Sequence, residues 1–258
     1  MDMSAPPTDR PVPAVVVWHD LECGAYRADI PLWLKLAAEA SSPGQPARVL
    51  DIGAGTGRVS LELARAGHRV SALDIDGELL GALAERAGEL PIETFKGDAR
   101  SFQLDGPVHD LALVPMQTLQ LLRGVDERRS LLDCARAHLR PGARLALAIV
   151  TDVDNFDTRG GGLGPTPEHV AIGRQRYVSR AIRVAIADSF IRIERERFIE
   201  PDEGDSPYEP ELDVIELEQV TPGQLQQEAL EAGWTVEPAV TIGETEEHSG
   251  SEVVVLRV

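Results

Sequence analysis

Two cysteines, Cys23 and Cys134, are all that the 258 residues contain. That is too few for a disulfide framework, and their separation fits no zinc spacing, so both are expected to be buried or incidental thiols and no metal site is expected. Long apolar runs are missing too: none approaches the roughly eighteen residues of a membrane span. Residues 1–13 are rich in proline and polar residues, lack the apolar stretch of a secretory signal, and read as a disordered tail. A soluble, reducing, cytoplasmic setting is the expectation. Basic residues are also short, 25 against 43 acidic ones, leaving a net charge of −18. A field of that sign serves solubility and repels phosphate backbones and anionic lipid. Neither nucleic acid nor a membrane is therefore the expected partner, and neutral or cationic small molecules suit the charge better.

What is present is a core. With 43% apolar residues the chain can bury one large domain, or one domain with an elaboration. Residues 14–46 carry Trp18, Tyr26 and Trp33 and read as helical from about Asp20, up to a loop at Ser41–Pro46. Short apolar strands then alternate with helices. Strands are expected over 48–52, 69–73, 92–96, 110–114 and 144–150, with helices over 57–66, 77–87 and 126–139. Gly67, Gly88 and the Pro141-Gly142 pair mark the helix ends. That alternation builds a doubly wound, mostly parallel sheet with helices on both faces.

The period changes after residue 153. Apolar and polar residues alternate from 175 to 200 and again over 212–220, as in half-exposed antiparallel strands. An acidic loop separates the two stretches. Thr221-Pro222 opens a further helix, ended by Gly233, and strands at 235–240 and 252–258 follow. The chain thus divides into a tail (1–13), an N-terminal helical lid (14–46), a ligand-binding α/β domain (47–153 and 221–258) and an antiparallel insertion (154–220). The exposed edge of that insertion offers a contact for a homodimer.

The first strand runs into Asp51-Ile52-Gly53-Ala54-Gly55-Thr56-Gly57 and then a helix. Glycines there let a ligand lie against the main chain, beside the free N–H groups of a helix start. A dinucleotide site would need its third glycine at position 58, which is Arg58. An acid inside the turn, Asp51, suits a ligand carrying an ammonium group better than a pyrophosphate. At the end of the second strand, Asp74 is placed to accept two ribose hydroxyls. After the third, Gly97-Asp98-Ala99 puts a carboxylate within reach of an exocyclic amine, and Ile75 and Met116 offer apolar faces to an aromatic ring.

This set resembles the class I S-adenosylmethionine-dependent methyltransferases, most closely their small-molecule subgroup, and the likeness is strongest over 47–150. The resemblance implies a Rossmann-like α/β fold with a seven-stranded sheet, S-adenosylmethionine as cofactor and S-adenosylhomocysteine as product. It implies that the loop at 53–57, with Gly53, Ala54, Gly55 and Gly57, touches the methionyl part, that Asp51 and Arg58 belong to the cofactor site, that Asp74 holds the ribose, and that Ile75 flanks the adenine. Asp98 and the backbone of Ala99 would meet the adenine amine. Pro115, Met116 and Gln117 would line the cofactor and open toward the acceptor. The tetrad of amino-methylating nucleic-acid enzymes is absent after the fourth strand, and Leu121 stands where the subgroup often has a histidine. No catalytic residue is identified.

Tyr26 either meets the methionyl group or packs the lid; His19 is either an acid or base or a surface residue. Gln120 and Tyr177, with Arg180 or Arg183, are candidates for the acceptor side. The glycines at 160–162 form either a lid or a plain surface loop. The expected reaction is methyl transfer to an oxygen or nitrogen of a small molecule, driven by positioning. The alternatives are a non-catalytic cofactor-binding regulator or scaffold and a protein or RNA methyltransferase.

Overall fold

The computed structural model describes residues 12–106, 108–200, 209–245 and 249–258. The expected tail lies outside the described residues up to residue 11, and so do residues 201–208 of the acidic loop. The chain opens with two helices, α1 (Ala14–Cys23) and α2 (Ile30–Ala40), where the sequence suggested one. The break has a plain cause. Pro31 has no N–H and cannot continue a helix through the preceding turn, but it sits well at the second position of a new one.

The alternation follows: β1 (Arg48–Ile52), α3 (Arg58–Arg65), β2 (Arg69–Asp74), α4 (Gly77–Ala87), β3 (Ile92–Lys96) and β4 (His109–Val114). A 3-10 turn at Thr118–Leu121, α5 (Gly124–Ala137) and β5 (Leu139–Ile149) come next. Five strands of a second sheet interrupt it: β6 (Phe156–Asp157), β7 (Glu168–Ile172), β8 (Gln175–Ile186), β9 (Phe190–Glu200) and β10 (Glu211–Glu218). Then α6 (Pro222–Glu231), β11 (Thr235–Val236), β12 (Val240–Ile242) and β13 (Ser251–Arg257) complete the first sheet. The single strand expected at 235–240 is two short ones, with Pro238 between them.

The main sheet runs β11-β13-β5-β4-β1-β2-β3, with β12 adding an eighth strand against β13. Its central pairs are parallel, and β13 lies antiparallel between β11 and β5. Side chains alternate between two cores. Val49, Leu111, Leu113, Ala146, Ala148, Val253 and Val255 face α2, α3 and α4. Leu50, Ile52, Ala112, Val114, Leu145, Leu147, Val254 and Leu256 face α5 and α6. No helix among the described residues is long and apolar enough to cross a membrane.

The second sheet is antiparallel in the order β10-β9-β8-β6, with β7 on β8. α1 joins it to the main domain. Trp18 meets Tyr177 edge to face at 5.2 Å, and Glu22 takes hydrogen bonds from Ser179 Oγ (2.8 Å) and from Arg197 Nε and Nη2 (2.7 and 2.6 Å).

Candidate functional site

The chain passes from β1 outward to β2 and β3, then returns to place β4 on the other side of β1. That reversal opens a crevice at the carboxyl ends of the strands, where ligands of open α/β sheets bind. Because β1, β2, β3 and β4 run parallel, the segments after Ile52, Asp74, Lys96 and Val114 all emerge along this one edge.

The glycine turn lines it. Gly53, Gly55 and Gly57 have φ of 78°, 54° and 94°, the left-handed region that costs glycine nothing. Gly53 N–H and Ala54 N–H donate to Leu73 O (2.8 and 3.0 Å), and Gly55 N–H donates to Asp74 Oδ2 (2.8 Å). Asp74 Oδ1 takes the N–H of Asp76 (2.9 Å), and the Asp76 side chain caps α4. Asp74 thus ties the glycine turn to the start of the next helix. Close approach is real here: a Cβ on Gly53 would lie 2.5 Å from the Thr118 side chain, and one on Gly55 would lie 2.3 Å from His19 Nε2. Ile75, beside Asp74, is 65% exposed, an apolar side chain left uncovered on the rim. Met116 holds a φ of 53° just after β4, the one described non-glycine residue in that region.

Asp51 lies beneath the turn, on the β1 face turned toward α3. Its Oδ2 accepts from Ser60 Oγ at 2.6 Å, and among the described residues nothing bonds its buried Oδ1. Burial raises its carboxyl to about 6, and the Ser60 hydrogen bond opposes the rise. The folded state therefore holds this proton more tightly than the unfolded chain does. The resulting stability is fully present below the ordinary value of 3.8 and is lost as pH rises through about 6. Relative to wild type, Asp51→Asn is expected to gain about 3 kcal/mol between pH 3.5 and pH 8. Urea unfolding at both pH values reads the difference, and equal gaps at the two would place the carboxylate in water.

Several expected contacts are made elsewhere. Arg58 does not face the crevice: its guanidinium forms two bonds to Asp29 (2.6 and 2.7 Å) and one to Tyr26 O (2.8 Å), with side chains 7% and 1% exposed in the ion pair. Its length carries the charge from the turn to the base of α2, where Asp29 also accepts from Trp33 Nε1 at 2.8 Å. Tyr26 is buried in the core with the Arg58 guanidinium 5.2 Å over its ring, so its aromatic face packs instead of lining the rim. Gln120 is 1% exposed and spends its amide on Val150 N (2.8 Å), Val150 O (3.0 Å) and Glu218 O (3.2 Å). It braces the two sheets and offers nothing to an acceptor. Tyr177 packs on Trp18 and donates to Gln175. Arg180 pairs with Glu196, and Arg183 with Glu194 and Asp157.

Asp98 is at the rim but is held by Arg100, through the backbone N–H and the guanidinium, which keeps its carboxyl low; Arg100 also reaches Glu127. Ala99 packs partly into the α5 side, Pro115 is buried, and Gln117 is half-buried at the 3-10 turn.

Three further groups at the rim, Asp20, Thr56 and Arg86, carry no signal in the sequence. His19 stands over Gly55, its Nδ1 is 3.2 Å from Thr56 Oγ1, and Thr56 donates to Asp20 Oδ1 at 2.7 Å. Asp20 is in turn paired with Arg86 of α4. No local pattern marks this chain of contacts, because α1 meets the glycine turn only in the folded protein.

Residues 49–142 match the family described as Methyltransferase domain. That stretch is similar in sequence to methyltransferase domains. Curated relatives are similar in sequence over part of their length. The cypemycin N-terminal methyltransferase of Streptomyces sp is 33% identical over 131 residues, 51% of this chain and 52% of that one. An uncharacterised methyltransferase of Mycobacterium tuberculosis is 34% identical over 173 residues, 67% of this chain and 65% of that one. The chain thus spans between about half and two thirds of the length of these relatives. A sugar N-methyltransferase from Streptoalloteichus sp has the same fold across 100% of this chain and 98% of its own, at TM-score 0.71 and 17% identity. An amino pentose methyltransferase from Micromonospora echinaspora matches 94% of this chain and 97% of its own, at TM-score 0.66 and 21% identity. The likeness in fold runs through the antiparallel strands as well as the parallel sheet.

Proposed function

We propose that this chain transfers a methyl group from S-adenosylmethionine to a nitrogen or oxygen of a small polar acceptor. The reading rests chiefly on Asp74. At the tip of β2 it stands between the main chain of the glycine turn at Gly55 and the uncovered side chain of Ile75, an acid, a main-chain strip and an apolar face in one place. These fit a ribose, a methionyl chain and an adenine in turn. The unbonded Oδ1 of Asp51 beneath the turn adds negative character where a cationic ligand would lie. When bound, S-adenosylmethionine supplies an activated methyl on a sulfonium sulfur.

The protein's part is to align donor and acceptor and keep water out, and positioning of this kind is worth roughly 7–11 kcal/mol. Gly53 to Gly57, Asp74, Ile75, Asp98, Met116 and Gln117 are assigned to the cofactor. α1 and the antiparallel sheet, joined through Glu22, are assigned to covering the acceptor. A nitrogen acceptor is favoured by the N-terminal methylation named for the Streptomyces relative and by the sugar N-methylation named for a structural neighbour. Titration with S-adenosylmethionine by calorimetry, then incubation with amino sugars, hydroxyl sugars and a peptide with a free N-terminus, tests the proposal through S-adenosylhomocysteine formed. Absence of heat at millimolar cofactor ends it. Tight binding without turnover of any acceptor favours a regulatory binding module.

A further inference from the structure

We infer that His19 is a cofactor-binding residue, its Nε2 taking a hydrogen bond from the ammonium of the methionyl group that lies on Gly55. This deepens the proposed function and rests on it.

The hydrogen-bond order fixes the ring. Asp20 accepts two bonds from Arg86 and one from Thr56, and the Arg86 and Thr56 hydrogen bonds offset the effect of burial and keep its carboxyl low. An ionised carboxylate only accepts, so the single Thr56 hydroxyl hydrogen points to Asp20. Thr56 Oγ1 is left with lone pairs toward His19, and Nδ1 must be the protonated nitrogen of that 3.2 Å contact. The other nitrogen, Nε2, then carries a lone pair. No described residue bonds to it, and it stands where a Cβ on Gly55 would be 2.3 Å away. A ligand lying along the glycine turn meets this nitrogen.

The other rim acids are engaged: Asp74 by Gly55 and Asp76, Asp98 by Arg100. The surroundings favour a cation opposite the ring. Burial lowers the imidazole's pKa and keeps it neutral, and the charges that face it are Asp20 and Glu22 of its own helix, Asp74 from β2 and Arg86 from α4. Three are acids, and the one base is already paired with Asp20.

The test uses the whole chain and three ligands: S-adenosylmethionine, S-adenosylhomocysteine, and a sulfonium analogue in which hydrogen replaces the amino group. His19→Phe keeps a ring without the acceptor, and His19→Gln keeps an acceptor that does not titrate. Loss of a hydrogen bond to a charged group is expected to weaken both amino-bearing ligands roughly ten- to a hundredfold in His19→Phe. The deaminated analogue should bind wild type and His19→Phe within threefold of each other. His19→Gln should recover most of the affinity. Asp51 titrates as well, so the pH arm is read as a difference: as pH falls into the acid range, wild type should lose more affinity than His19→Gln. Thermal melts confirm that each variant folds. If wild type binds cofactor and His19→Phe binds it equally, or loses the analogue by the same factor, the assignment of His19 falls alone. If turnover collapses while cofactor affinity is unchanged, His19 acts on the acceptor and the assignment is likewise overturned. If wild type binds no cofactor at all, the functional reading itself fails, and this inference with it.

Discussion

Asp29→Ala is expected to cost about 3–5 kcal/mol of folding stability. Few side chains in the fold hold so many buried partners. Asp29 stands at the N-cap of α2, takes both arms of the Arg58 guanidinium and the indole N–H of the fully buried Trp33, and is itself 1% exposed. Truncation leaves a buried positive charge with the carbonyl and the ring of Tyr26 in place of a carboxylate, and strands the indole donor. The cost is the desolvation of Arg58 left uncompensated. A well-packed apolar pair of similar volume at both positions should therefore recover much of the loss, since the intact ion pair contributes little beyond its own desolvation. Urea unfolding of wild type, Asp29→Ala and the double replacement reads this directly. A loss under about 1 kcal/mol in Asp29→Ala would show that water reaches Arg58.

The second large effect falls on the ligand. Asp74→Ala is expected to lower affinity for S-adenosylmethionine about a hundredfold or more, because hydrogen bonds to a charged group are worth about 1.5–3 kcal/mol each and two ribose hydroxyls are assigned to this carboxylate. The same carboxylate organises the turn: its two oxygens hold the N–H groups of Gly55 and Asp76. Asp74→Asn keeps one acceptor oxygen and should fall between the two. Calorimetric titration of the three proteins gives the order. A loss below threefold in Asp74→Ala would remove the carboxylate from the ligand.

The parts of the molecule legible in the sequence are those whose cause is local. Gly67 and Gly88 follow α3 and α4 with positive φ, as their positions after apolar-periodic runs suggest. Thr221 caps α6 in a reciprocal pair with Gln224. The left-handed glycines of the turn are readable because few other residues tolerate that backbone. What stays hidden depends on partners far along the chain. Arg58 reads as the residue that spoils a dinucleotide pattern, but its partner Asp29 belongs to a helix whose start is set by Pro31. Gln120 is polar and lies just beyond a strand end, which in a sequence looks like a ligand contact; its partners Val150 and Glu218 lie 30 and 98 residues away. Asp98 has its competitor two residues on, in Arg100, a side chain that spacing alone does not aim. His19 shows no pattern at all, and only the docking of α1 on the turn gives it a direction.

The two attachments of α1 differ in when they can form. Asp20 reaches Thr56 across 36 residues, whereas Glu22 reaches Arg197 across 175. Closing the longer loop costs about 1.4 kcal/mol more chain entropy, little more than two doublings of length. On a ribosome the contrast is one of time: the short tie is available once the glycine turn has emerged, and the long one must wait for β9. The helix is therefore fastened at one end while the sheet it will hold is still being made, and the tie to that sheet closes last.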